Sequence, residues 1–459
     1  MRNSGLFIKL EKKRKKEIFR IDMLILIGSL LMRDVFGVAI QANVFTVILL
    51  FGMPFFTRED MIAFGCSLPL FFGGIETGNI CVVWIIMYLL KFKLLRRTPA
   101  KIFPTLIMVY FIVFEFIIDA GNVESVSVII SIGSYLILFL LIMENIDLLR
   151  QDEIAYVLKT FLALFFCVMF IILLNTIQIA GSDFIFKQVR FGNPKGLIGQ
   201  SSQYKGDTAV MLGDNQNYIA LFCTVSVSIS IVLLVKERKS LLYWASFFGS
   251  LFFGFLTASK AYLLTMFVQL LFFIYIQGRK RRDSVQWDNW FFLIGVAILV
   301  IFLFRNVIYQ LAIKNVWERL VLGIEIGDIS TGRVDTAKEY IAFFQKNLNY
   351  LVYGMGVTNI ADKTRASFSP HNMILDIIAG TGIIGAVLWF SLIVYYIMAA
   401  KSVKRNIGFC IIGLAAYLIF VQSIQFLTIS NIYLTMMPVL FLLRYEQSIQ
   451  FPKNAVIVR

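Results

Sequence analysis

His371 is the one histidine in 459 residues. It stands in Ser369-Pro370-His371-Asn372, directly ahead of a long apolar run. Serine suits a helix N-cap and proline the first helical position, so the spacing predicts a helix with His371 and Asn372 in its first turn. The positive potential at a helix N-terminus disfavours imidazolium and favours the neutral ring. A neutral imidazole can accept a proton from a hydroxyl, while unsatisfied amides beside it can meet a phosphate. An interfacial histidine with no chemical role would occupy the same position.

Other polar elements also fall at predicted helix starts. Thr257-Ala258-Ser259-Lys260 separates two apolar runs and sets a cation in or near the membrane. An ionisable side chain is costly to bury there, which makes Lys260 a functional candidate, with snorkelling to the interface as the alternative. Ser330-Thr331-Gly332-Arg333 opens an amphipathic stretch running to Phe344 and places Arg333 at its start. Val334, Ala337, Tyr340, Ile341 and Phe344 recur there at helical spacing, which predicts a helix lying on the bundle or at headgroup level. Asp214-Asn215-Gln216-Asn217 opens a further span, with Asp214 suited to capping and Asn215 and Asn217 able to meet sugar hydroxyls. Arg190 shares a polar loop with Lys187, Lys195 and Lys205. Most other loop cations, among them Lys338, Lys346, Lys363 and Arg365, read as solvated members of surface ion pairs. Gly380-Thr381-Gly382-Ile383-Ile384-Gly385 spells GxGxxG, but no strand precedes it, so a dinucleotide site is rejected. Those glycines predict close helix packing or a break in a discontinuous span.

The elements that must position these residues are set by composition. Hydrophobic residues make up 59% of the chain and charged residues 15%, with a mean hydropathy of +0.80. A soluble domain carries nearer a quarter charged residues, so this is an all-α polytopic membrane protein. Continuous apolar runs, without period-two alternation, exclude a β-barrel. Spans are predicted near 21–41, 43–57, 60–75, 77–92, 101–119, 123–143, 154–178, 217–235, 240–257, 259–277, 290–304, 372–400, 406–424 and 429–445. Hydropathy is compatible with about 11–14 transmembrane helices. The basic runs EKKRKKEIFR from Glu11, KFKLLRRTPAK from Lys91, KERK from Lys236, GRKRR from Gly278 and KSVKR from Lys401 share one parity, which favours fourteen spans with both termini cytoplasmic. The chain then divides into a basic N-terminus (1–20), N-terminal helices (21–178), an external loop (179–216), central helices (217–304), a large external loop (305–370), C-terminal helices (371–445) and a tail (446–459). The net charge of +15 is explained by these loops and not by nucleic acid. The five cysteines sit in apolar surroundings with no CxxC spacing, and read as small buried hydrophobes. No cleavable signal peptide is predicted, so the first apolar helix is expected to serve as an anchor.

Taken in order, Asn215/Asn217, Thr257–Lys260, Thr331–Arg333, Tyr353–Gly356, Pro370–Asn372 and Gly382/Gly385 resemble the motifs of the O-antigen ligase and Wzy-type polysaccharide polymerase superfamily. The resemblance covers roughly residues 190–400. It implies a metal-independent glycosyltransferase, without cofactor, that uses oligosaccharides carried on a polyprenyl diphosphate in the bacterial cytoplasmic membrane. It further implies His371 as base or acceptor positioner, Arg333 as diphosphate clamp and Arg190 as a second clamp, with Lys260, Asn215, Asn217 and Asn372 toward the substrate. Lys260 departs from the family's usual arginine and supplies a point charge instead of a bidentate fork. A flippase and a chain-length regulator are implied as partners.

Polymerisation of lipid-linked repeat units is the first expectation, and ligase-type transfer to another acceptor the second. A flippase or secondary transporter is the rival from another class. It would more often place charges in mid-span and lack a loop of this length.

Overall fold

The computed structural model describes residues 2–71, 77–92, 123–146, 149–186, 189–191, 193–197, 216–236, 240–279, 305–310, 332–356, 360–366, 369–401, 408–424 and 432–449, with isolated positions between. Helices dominate: the described residues form one two-stranded antiparallel ribbon, and no other sheet. Three helical stretches, Gln151–Ala180, Gln216–Leu234 and Met373–Ser391, are long and apolar enough to cross a membrane. Shorter apolar helices accompany them at Asn43–Phe55, Thr77–Phe92, Gly133–Met143, Leu241–Leu256 and Lys260–Leu271. The spans expected at 101–119 and 290–304 lie outside the described residues, apart from Leu106.

The first helix, α1 (Arg2–Asp34), joins the basic run and the first apolar run without interruption. No proline separates them, so nothing breaks the helix before the turn at Val35. Next come α2 (Ala42–Gly52), α3 (Arg58–Ser67) and α4 (Thr77–Phe92). The span expected at 60–75 is described as far as Phe71, and 72–76 lie outside the described residues. Thr57 and Asp60 form a capping box that starts α3, and after Ser67 the α-helix tightens into the 3-10 turn Leu68–Phe71, which contains Pro69. Ten residues cover about 15 Å, half a bilayer, and α3 is buried from Glu59 to Ser67. Tyr156 donates to the Asp60 carboxylate at 2.7 Å and ties α3 to α6 (Gln151–Ala180), which comes after α5 (Val123–Asn145).

The second half is built on α7 (Gln216–Lys236), α8 (Leu241–Leu256) and α9 (Lys260–Arg279). Buried polar side chains hold α7 to α9. Thr224 and Thr265 hydroxyls lie 3.3 Å apart, and the Gln269 amide donates to the Thr224 carbonyl and the Ser228 hydroxyl. Such pairs act as adhesive where apolar burial gives helices no preference for one another over lipid. Because α8 runs back between them, α7 and α9 start at the same end of the bundle. After the short helix Arg305–Ile308 come α10 (Arg333–Lys346), α11 (Leu348–Tyr353), α12 (Ile360–Thr364), α13 (Met373–Lys401), α14 (Gly408–Val421) and, behind the 3-10 turn Ile432–Thr435, α15 (Met436–Ile449). α14 packs on α7, α9 and α15, while α11 packs on α13.

Candidate functional site

The start of α13 differs from the sequence expectation by a few residues. Asn372, not Ser369, is the cap: its side-chain oxygen accepts from the Leu375 amide at 3.0 Å and its carbonyl from the Asp376 amide at 2.8 Å. Asparagine is among the best N-caps, and Pro370 pushes the residue before it into extended backbone. His371 therefore precedes the helix instead of lying in its first turn. The other end of the Asn372 amide donates to the Gln422 carbonyl at 3.4 Å, so this side chain fixes the backbone beside His371.

Arg333 opens α10 as expected. Gly332 enters the helix at φ +83°, a conformation suited to glycine, and its carbonyl accepts both the amide and the hydroxyl of Thr336. At about 100° per residue, Arg333, Thr336, Tyr340 and Phe344 share one face. Thr336, Tyr340 and Phe344 on that face are buried, so Arg333 begins the packed side of the helix. The predicted apolar stripe is thereby split: Val334 and Ile341 turn outward, each more than half exposed. Burial first, and the Arg333 charge second, depress the His371 imidazole to about 4. Burial also lowers the Arg333 guanidinium, which stays charged at any pH near neutral. A cation thus lies within electrostatic reach of a neutral imidazole.

Two glycine motifs interlock below this pair. α13 is broken at Gly382, where φ is 66° and ψ −174°. Gly354, at φ 83° and ψ 179°, adopts the same region, which is all but closed to residues with a Cβ. The two backbones touch: a Cβ on Gly354 would lie 2.5 Å from the Gly380 carbonyl oxygen, and one on Gly382 would collide with Val352. Met355 and Gly356 amides donate to the Ala379 and Gly380 carbonyls at 2.9 and 3.0 Å, satisfying acceptors that the break releases. Lys363 donates to the Met355 carbonyl at 2.9 Å, so it clamps this turn and is not the solvated loop cation expected. Lys338 does match that expectation, pairing with Asp335 at 2.9 Å in full view of solvent.

Lys260 opens α9 after a tight corner in which Ala258 takes φ +51°. The Thr257 hydroxyl donates to the Gly254 carbonyl at 2.6 Å, and Gly254 leaves room for the Tyr262 ring packed against it. The ribbon β1 (Val189–Arg190) and β2 (Asn193–Leu197) docks on this corner. Phe191 is fully buried, stacks on Phe253 at 5.6 Å and donates its amide to the Leu256 carbonyl at 3.4 Å. The Arg190 backbone is thereby brought to the corner that carries Lys260. Asn217 lies in the first turn of α7, whereas Asn215 is outside the described residues.

Sequence reading passed over Asp376. It is fully buried in the first turn of α13 and is electrostatically coupled to Tyr218 of α7 and Tyr340 of α10. The available signal was a carboxylate inside an apolar run, five residues after the lone histidine. Asp376 thereby couples the first turn of α13 to the first turn of α7 and to the middle of α10, and α9 starts at the same end as α7. Arg333 lies near enough to His371 for its charge to lower the imidazole, and Asn217 is one residue from Tyr218. The backbone of Arg190 lies at the corner that Lys260 opens.

The arrangement offers a neutral proton acceptor, a half-buried guanidinium and several helix N-termini, which together suit an anionic substrate carrying hydroxyls. No protein-family model matches the chain, and no curated protein matches it significantly.

Proposed function

We propose that this chain is a metal-independent glycosyltransferase that polymerises polyprenyl-diphosphate-linked oligosaccharide units at the outer face of a bacterial cytoplasmic membrane. The observation that carries this reading is Arg333 at the start of α10 within electrostatic reach of His371, the residue before the α13 cap, on a scaffold that includes membrane-length helices. In the proposed step an acceptor sugar hydroxyl attacks the anomeric carbon of the donor. Its proton passes to an imidazole nitrogen of His371, the carbon–oxygen bond to the diphosphate breaks, and the diphosphate leaves with the electron pair. Arg333 meets the developing negative charge, which is the larger contribution where the leaving group is already activated.

An imidazole held near 4 is a weak base in the empty protein. A bound diphosphate changes this, because its negative charge offsets that of Arg333, one of the two effects that depress the ring. The donor thus strengthens the base that will activate the acceptor. Asn372 contributes by fixing the His371 backbone, and Lys260, Asn217 and Arg190 remain candidates for substrate contacts.

The test is polymerisation of purified lipid-linked repeat units, read as a ladder of chain lengths. His371→Gln keeps hydrogen bonding but cannot relay the proton, and should slow turnover by about 10²–10⁴-fold. Near-normal ladders from that variant would overturn the assignment of His371 as base. Absence of any ladder from the unaltered protein, with transfer to a different glycan acceptor instead, would favour the ligase reading.

A further inference from the structure

α10 has three sides rather than two. Arg333, Thr336, Tyr340 and Phe344 face the protein; Asp335, Glu339 and Lys346 form an exposed charged side. Between them Val334 and Ile341, seven residues apart and so on one line, are 54% and 52% exposed. On α11 the exposure continues at Leu348, Tyr350, Val352 and Tyr353.

This apolar surface does not end at the loop. Val352 and Gly354 lie in backbone contact with Gly382, and Ile383 and Ile384, directly after it, are also exposed. From there Ile383, Val387, Phe390 and Val394, spaced by four, three and four residues, form one exposed stripe along α13. On a helix long and apolar enough to cross a membrane, such a stripe is the side that meets lipid. The exposed side of α10–α11 is continuous with it.

We infer that α10 and α11 lie in the membrane interface, with Val334, Ile341 and Leu348 set into the acyl region of the adjacent leaflet. The depth such helices reach is about 5–10 Å. Lys338 flanks the apolar line and suits an anionic headgroup. Arg333 then stands at headgroup level. A consequence that rests on the proposed function is that a membrane-anchored diphosphate reaches Arg333 laterally along α10 without leaving the leaflet.

Nitroxide accessibility tests the placement without any substrate. With the five native cysteines replaced, labels at Val334→Cys, Ile341→Cys, Leu348→Cys and Asp335→Cys are read in nanodiscs of phosphatidylethanolamine and phosphatidylglycerol. Collisions with oxygen should exceed those with a water-soluble nickel chelate at the first three positions, and the order should reverse at Asp335→Cys. Nickel-dominated collisions at Val334→Cys and Ile341→Cys would place the face in water and end the proposal. Protection from both reagents would also end it, since a second protein surface would then be the occupant. Loss of polymerisation with the lipid signature intact would count against the proposed function alone.

Discussion

At the scale of single residues, everything turns on a histidine whose surroundings favour its neutral form. With burial and Arg333 both lowering the imidazole to about 4, kcat/KM should stay flat from neutrality to roughly one pH unit above that value and fall below it. On the proposed function, the kcat profile would report the donor-bound protein, in which the diphosphate would offset Arg333. Its acid limb should therefore sit at higher pH than that of kcat/KM. Because His371 is the sole histidine, selective isotope labelling gives a single imidazole signal when the affinity tag contains none. Arg333→Gln removes a positive neighbour, so the titration should move upward while staying below the ordinary value of about 6.5, burial being unchanged. An unmoved midpoint would separate the two side chains. Arg333→Lys retains charge but not the bidentate fork, and should impair polymerisation far more than Lys346→Ala, a change at an exposed position. Equal polymer from both variants would remove Arg333 from the mechanism.

At the scale of elements, the junction of Gly354 with Gly382 decides how the loop helices sit on α13. Neither position tolerates a Cβ, because both backbones occupy a region nearly exclusive to glycine and the opposing chain fills the space. Gly382→Ala should cost at least about 1–3 kcal/mol from backbone strain alone. Displacement of residues 352–356 should add to that. Thermal unfolding in detergent measures the loss. Proteolysis in the 353–366 region should accelerate in parallel, since this turn is held by the Ala379 and Gly380 carbonyls and by Lys363. Gly332→Ala, where φ is positive but nothing lies within 4 Å, should be milder. A reversed order would mean that contact at the break does not hold the loop.

At the scale of the whole molecule, topology is the open quantity that labelling answers. Basic runs of one parity predict that the N-terminal end of α1 faces the cytoplasm and α10 the outside. An impermeant thiol reagent applied to intact cells should modify Lys346→Cys and spare Arg14→Cys, both exposed positions, until the membrane is opened. The opposite pattern would invert the protein and move the proposed chemistry to the cytoplasmic side.

What the sequence determined by itself is whatever depends on local spacing and composition. The apolar runs foretold helices at Gln151–Ala180 and Gln216–Lys236, the GTG triplet foretold close packing or a discontinuity in α13, and TGR foretold an arginine at a helix start. Each of these is settled by neighbours within a few residues, through backbone conformation or helical period. The tertiary structure decided the rest. Asn372 captured the cap because its amide also reaches Gln422, fifty positions away. The stripe on α10 split in two because only part of it meets α13 and α12, a partition that hydrophobicity cannot encode. Asp376 acquired its electrostatic coupling to Tyr218 and Tyr340, and Gly354 its match in Gly382, only when distant segments packed. Charge and close backbone contact act through space, and a sequence records only order along the chain.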